Sequence, residues 1–409
     1  MDTLLDRFIR YVKVDTRAVE ETDAYPSCPA QLELGKMLAD ELRALKLDSV
    51  AQDEHGIVMG TIPGNVAGAP TIAWLAHMDT SPEFTAAGVK PIVHKNYNGK
   101  DIQLPGDRNR VIRTSETEGL AALAGKTLIT TDGTTLLGAD DKAGVATIMS
   151  AAAELMSRRD VAHGPIRVVF TCDEEVGRGT IKLDLKKIDA HVAYTLDGEG
   201  EGGLEIETWS ADVAVVRITG KNIHPGYAHG RMVNAIRLAA QFVERMPWRR
   251  LAPETTQGRD GFLHPYVIEG GVPEVKIRVL LRSFVTAELD EQAKILEAIA
   301  ATLRAEHPEA RIDIERTEQY RNMLEHLQKE PRAVNLAEEA MRRVGLSPRR
   351  QSIRGGTDGS RLSEMGLPTP NLSVGMHNFH SPLEFACLEQ MGSAVKVLVE
   401  LARLWGKEK

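Results

Sequence analysis

Three runs of the chain, TIAWLAH (71–77), PIRVVFTC (165–172) and HVAYTL (191–196), are strand-length and almost continuously apolar. A strand with one wet face would alternate, so runs of this kind must be buried on both faces. Between the first two lies DKAGVATIMSAAAELMSRR (141–159), where Val145, Ile148, Met149, Ala152 and Leu155 share one helical side. Buried strands alternating with helices imply an α/β fold, a mostly parallel sheet with helices on both faces.

The pattern changes after about residue 208. ADVAVVRITG (211–220), EVKIRVLLRSF (274–284) and ARIDIERTEQY (310–320) alternate more, as strands with one solvated face do. Helical stretches near 232–247 and 288–306 separate them. The order βαβαβ points to a smaller, ferredoxin-like α+β domain inserted into the larger one. The α/β pattern resumes with helices near 331–344 and 388–405 around PNLSV (370–374). With 409 residues, too many for one ordinary core, the expected division is 1–207 and 323–409 for the catalytic domain and 208–322 for the inserted lid. The stretch 81–128, rich in Gly, Asn, Asp and Pro, reads as a surface excursion with no assigned role.

Composition narrows the function classes. A hydrophobic content of 42%, 26% charged residues and a net charge of -8 are ordinary for a soluble enzyme. Lys and Arg form no block, which argues against a nucleic-acid surface, and a weakly acidic chain is not drawn to anionic membranes. No stretch approaches the roughly 20 apolar residues of a membrane span, and the opening MDTLLDRFIRYVK lacks the apolar core of a signal peptide. Cys28, Cys172 and Cys387 are too scattered for a disulfide framework or a zinc finger. The expected location is the cytoplasm.

The ends of the apolar runs carry the chemistry. His77-Met78-Asp79, Asp173-Glu174-Glu175 and Asp197 each follow or finish one; Asp140-Asp141 opens the helix, and His377-Asn378-Phe379-His380 follows PNLSV. In open α/β sheets the active site forms outside the carboxyl ends of the strands, so these residues would converge. Taken singly, each has a plainer explanation: Asp140 and Asp141 as helix caps, Asp197 before Gly198 as a turn, His380 as a loop histidine. Together they form a zinc-type donor set of imidazole nitrogen and carboxylate oxygen. Asp140 is placed to bridge two ions, His77 and Asp197 to complete one, Glu175 and His380 the other. Asp79, two residues beyond His77, suits orienting its ring. Glu174 is left without a ligand role and is the natural general base.

HMD (77–79), LLGADDKAG (136–144), DEEVG (173–177), TLDG (195–198), HPG (224–226), RGGTDG (354–359) and HNFHSPLEF (377–385) occur in this order. The set resembles the M20 group of zinc peptidases and, within it, the aminopeptidases that cleave tripeptides. That resemblance implies two zinc ions per subunit, held by His77, Asp140 and Asp197 and by Asp140, Glu175 and His380, with Asp79 and Glu174 in the roles given above. It implies that His224, in the inserted domain, stabilises the charge developing on the scissile carbonyl oxygen. Without the resemblance, His224 is a turn residue before Pro225. Arg354 would anchor the substrate carboxylate, its plain alternative being a surface arginine in a Gly-rich turn. The expected partners are short peptides and, through the lid, a second copy in a homodimer. The same metal motifs serve dipeptidases, carboxypeptidases and N-acyl amino acid deacylases. A catalytically dead binding relative would usually lack the base, and Glu174 is present.

Overall fold

The computed structural model describes residues 2–158 and 160–408; Met1, Arg159 at the end of the expected 141–159 helix, and Lys409 lie outside the described residues. The chain divides into two compact units, Met1–Ile206 with Met323–Ser352 and Thr357–Lys409, and Glu207–Asn322 with Ile353–Gly356.

The first unit is built on a large sheet. At its centre the strands Ile166–Thr171, Ile72–His77, Val192–Glu199 and Asn371–His377 lie side by side and parallel. These are the continuously apolar runs, and Ile72–His77 and Asn371–His377 are buried at every residue. The flanks are antiparallel: Val58–Ile62 and Asp48–Gln52 on one side, Phe385–Cys387, Leu128–Thr130 and Ile92–His94 on the other.

Helices cover both faces, as the period-2 alternation of a strand requires. Ile72, Trp74 and Ala76 point into a core shared with Leu4–Val12, Ala139–Ser157 and Leu388–Trp405, whereas Ala73 and Leu75 meet Leu183, Ile188, Leu362 and Leu367. Truncating one of these side chains, such as Leu75→Ala, would cost about 2–5 kcal/mol. Among the described residues, no helix is long and apolar enough to cross a membrane.

The second unit is a four-stranded antiparallel sheet in the order Phe262–Gly270, Glu274–Ser283, Ser210–Thr219, Arg311–Tyr320. Helices Ala235–Glu244 and Glu288–Glu306 share its core with Val216, Ile218, Ile277 and Val279. Its element order is βαββαβ, one strand more than the alternation of the sequence indicates. The extra strand, Phe262–Gly270, contains Pro265, which cannot donate to a ladder. It is tolerated because the strand lies at the sheet edge, with a register shift between Pro265 and Val267.

The 81–128 excursion also folds. Tyr97, Ile102, Leu104, Ile112, Leu120 and Leu123 form a small core against Phe385 and Cys387.

Candidate metal centre

The strand Ile72–His77 delivers His77 to the carboxyl end of the parallel centre, where its side chain is 3% exposed. Its Nε2 lies 3.0 Å from Asp140 Oδ1 and 3.6 Å from Asp197 Oδ1. Its Nδ1 faces Asp79, 3.4 Å from Oδ1 and 3.2 Å from the carbonyl oxygen. Asp79 does more than orient this ring. Its two carboxylate oxygens accept the backbone N–H groups of Glu174 and Glu175, each at 3.1 Å. One buried carboxylate thus ties a histidine to the turn that carries the two glutamates.

Asp140 and Asp141 separate in role. Both depart from helical geometry, with φ/ψ of −80°/106° and −118°/33°. Asp141 is the cap: Oδ1 accepts the Gly144 N–H at 3.1 Å, and Oδ2 accepts that of His77 at 3.2 Å. A Cβ on Gly144 would lie 2.3 Å from both Asp141 Oδ1 and the Leu196 carbonyl oxygen, so only glycine fits. Asp140 turns the other way, with Oδ1 toward His77 and Oδ2 3.4 Å from His380 Nε2.

The turn after Ile166–Thr171 is fixed from several sides. Asp173 has φ 60°, a region non-glycine residues seldom enter. It is held there because its carboxylate accepts the Ser27 N–H, the Ser27 hydroxyl at 2.5 Å and Gln31 Nε2 at 2.8 Å. Asp358 accepts the Thr171 hydroxyl at 2.9 Å, and Arg178 donates to the carbonyls of Thr22 and Ala24. Glu174 and Glu175 project from this turn. Glu175 Oε2 is 2.8 Å from His380 Nε2, while its Oε1 is buried without a hydrogen-bond partner.

Asp197, within Val192–Glu199, is positioned by Asn371 on the neighbouring strand. Asn371 Oδ1 accepts the Asp197 N–H at 2.8 Å and the Thr195 hydroxyl at 3.0 Å.

The ligand atoms of His77, Asp140 and Asp197 all lie within 4.8 Å of one another, as do those of Asp140, Glu175 and His380. Asp140 belongs to both groups. The donor set fits two divalent cations: three carboxylates and two imidazoles, with one buried carboxylate oxygen still lacking a partner. Electrostatics agrees. Burial, and then the nearby Asp140, push the Asp197 carboxyl up to about 7 and that of Glu175 up to about 8. For Asp140, burial is outweighed by hydrogen bonds from His380 and His77, which hold its carboxyl below the usual range. Crowded buried acids of this kind are costly unless cations neutralise them. The half-buried Glu174 carboxyl is raised well above its ordinary value by burial, with Asp197, Asp358 and Glu175 adding repulsion against the attraction of His77.

His224 and Arg354 belong to the second unit. His224 is exposed in a turn, where its Nδ1 accepts the Gly226 N–H at 3.2 Å. The neutral ring therefore carries its proton on Nε2. Arg354 lies in the Ile353–Gly356 segment, inside the 323–409 stretch read from sequence as catalytic domain but grouped with the second unit. Its guanidinium sits 5.0 Å over the Trp209 ring and donates to the Gly258 carbonyl at 3.1 Å.

The supporting roles of Asn371, Asp173, Ser27, Gln31 and Glu384 were not legible in the sequence, although Asp173 stands in the DEEVG motif and Glu384 in HNFHSPLEF.

Residues 130–404 match the family described as Peptidase family M20/M25/M40. The chain is 44% identical over 403 residues to the peptidase T of Geobacillus thermodenitrificans (strain NG80-2), covering 98% of each. Its fold matches the crystal structure of the aminopeptidase PepT of Bacillus cereus ATCC 10987, with TM-score 0.76, 25% identity, and 99% and 98% of the two chains covered. It also matches the YXEP protein of Bacillus subtilis, described as a dinuclear metal binding peptidase of the M20 family, with TM-score 0.65 and 16% identity over 98% of both chains.

Proposed function

The chain belongs to peptidase family M20/M25/M40, and from that premise we propose that it is a dinuclear-zinc aminopeptidase removing the N-terminal residue of tripeptides. The observation that carries this reading is the pair of ligand groups sharing Asp140. His77, Asp140 and Asp197 would hold one ion and Asp140, Glu175 and His380 the other. Imidazole and carboxylate donors suit zinc. When bound, the ions supply Lewis-acid polarisation and ease the deprotonation of water.

The chain's own groups do the rest. Glu174 takes the proton of the attacking water on its carboxylate as the water oxygen bonds to the scissile carbonyl carbon. It then delivers that proton to the departing amine nitrogen as the C–N bond breaks. Burial raises the Glu174 carboxyl well above its ordinary value, which makes it a stronger base for that exchange. His224, protonated on Nε2, donates to the carbonyl oxygen as it becomes negative. Arg354, stacked on Trp209 with two of its five N–H donors engaged, presents the remainder to the peptide's C-terminal carboxylate. The near-full-length likeness to peptidase T supports tripeptides as the substrate length. We place the enzyme in the cytoplasm, in keeping with its three unpaired cysteines, as a homodimer formed through the second unit.

The test is product analysis of Ala-Ala, Ala-Ala-Ala, its C-terminal amide, Ala-Ala-Ala-Ala and N-acetyl-Ala-Ala-Ala. The expected result is zinc-dependent release of the first residue, best from the free tripeptide, with a higher KM for the amide and none from the acetylated peptide. Release from the blocked peptide, or preference for the dipeptide, would move the protein to another specificity.

A further inference from the structure

Glu384 is a fully dehydrated acid that the mechanism does not use. Its residue is 1% exposed, and its carboxylate accepts three backbone N–H groups: Leu137 and Gly138 at 2.7 Å each on Oε2, and Asp140 at 3.0 Å on Oε1. A carboxylate buried this deeply needs such compensation to remain charged. All three donors lie on the loop that presents Asp140.

The other side of the clamp is the loop of His380, four residues earlier in the chain. That loop is closed on itself, with the Glu384 N–H donated to the Ser381 carbonyl at 3.0 Å and the Leu383 N–H to the Ser381 hydroxyl at 3.1 Å. Its C-terminal end runs straight into Phe385–Cys387, which pairs with strands on both sides. Glu384 is therefore anchored at the edge of a strand paired on both sides, and what it grips is tied to the His380 loop.

His77 and Asp197 need no such device, because their strands are hydrogen-bonded neighbours in the sheet. Asp140, at the non-helical start of Ala139–Ser157, and His380, on a loop, sit outside the ladders. We infer that Glu384 is a positioning residue of the metal centre: by locking the loop of the shared ligand Asp140 to the His380 loop, it supports the binding of both ions and weighs more on the second, which depends on both loops. The inference rests on the dinuclear reading above.

The test is calorimetric titration of metal-free full-length protein with zinc, against a competing chelator, for wild type and Glu384→Gln. The amide keeps the shape but turns an NH2 toward N–H groups that need an acceptor. Wild type should take up two ions. The variant should bind the second ion about 10–100-fold more weakly, the range of lost supporting contacts to metal ligands, and the first with a smaller loss. A merely structural defect would not split the two affinities. Two ions bound at wild-type affinity, or equal weakening of both, would overturn the inference. A wild type that binds fewer than two ions would instead overturn the dinuclear reading. Should Glu384→Gln fail to fold by circular dichroism, Glu384→Asp, charged but one methylene short, should show the same split to a smaller extent, and unsplit affinities there would also overturn it.

Discussion

The two halves of the centre are held in opposite ways. His77 and Asp197 belong to adjacent parallel strands in mid-sheet, with side chains 3% and 14% exposed. Glu175 and His380 stand on connections beyond the strand ends, and His380 is 36% exposed with φ 58°. In the first half, forming the sheet brings the ligands together, since each residue's place follows from its register. In the second, every ligand depends on side chains that reach in from elsewhere: Asp79 and Asp173 for the glutamate turn, Glu384 for the Asp140 and His380 loops. The strand-held half is a by-product of folding, whereas the loop-held half is assembled by buried polar clamps that cost desolvation and must all be satisfied.

The sharpest way to probe that comparison is within the turn itself. Glu174→Ala should lower kcat by about 10²–10⁴-fold, the usual contribution of a positioned proton-transfer group, while both zinc ions remain bound. Loss of the ions would mean that Glu174 is itself a ligand and that the roles of Glu174 and Glu175 need revising. His224→Ala lies outside both halves and should cost about 10²–10³-fold in kcat at unchanged metal content. A near-wild-type kcat would leave His224 as only the turn residue that its bond to Gly226 allows.

Asp79→Asn is a smaller change that spans both halves. It removes a charge facing His77 and forces an NH2 toward one of the two N–H groups of Glu174 and Glu175. Zinc affinity should fall by about 10–100-fold, and kcat at saturating zinc should fall as well because the base has lost its support. Unchanged kcat at saturating zinc would confine Asp79 to the histidine.

The smallest effect is the pH dependence of the metal-free protein. The folded-state carboxyls of Asp197 and Glu384 are pushed up to about 7 and that of Glu175 to about 8, in each case chiefly by burial. His380, against its burial, is raised to about 11 by Asp140 and Glu175. Each folded group therefore holds a proton that the unfolded chain releases at lower pH, so stability should fall as pH rises. In a chelator the melting temperature should drop between about pH 5 and pH 8, and with zinc, which requires deprotonated ligands, the slope should reverse. Equal slopes with and without zinc would show that these groups do not form the site.

What could be read from the sequence follows the same division. The parallel centre was legible because continuous apolar runs have no other use, and the chemistry-bearing residues sit at their ends. The clamping roles of Asn371, Glu384 and Asp173 were not, because their partners are backbone N–H groups and distant side chains that only the tertiary fold brings near. The strand Phe262–Gly270 was hidden by His264-Pro265, which interrupts the apolar pattern yet costs little at a sheet edge. The association of Arg354 with the second unit leaves no compositional trace either. There Arg354 stacks on Trp209, 145 positions away in the chain.

The most direct test of the shared-ligand centre is an anomalous-scattering crystal structure of the protein loaded with zinc. Two peaks are expected, one beside His77 and Asp197 and one beside Glu175 and His380, each about 2.0–2.2 Å from an oxygen of Asp140. A single peak, or two that do not share Asp140, would contradict it.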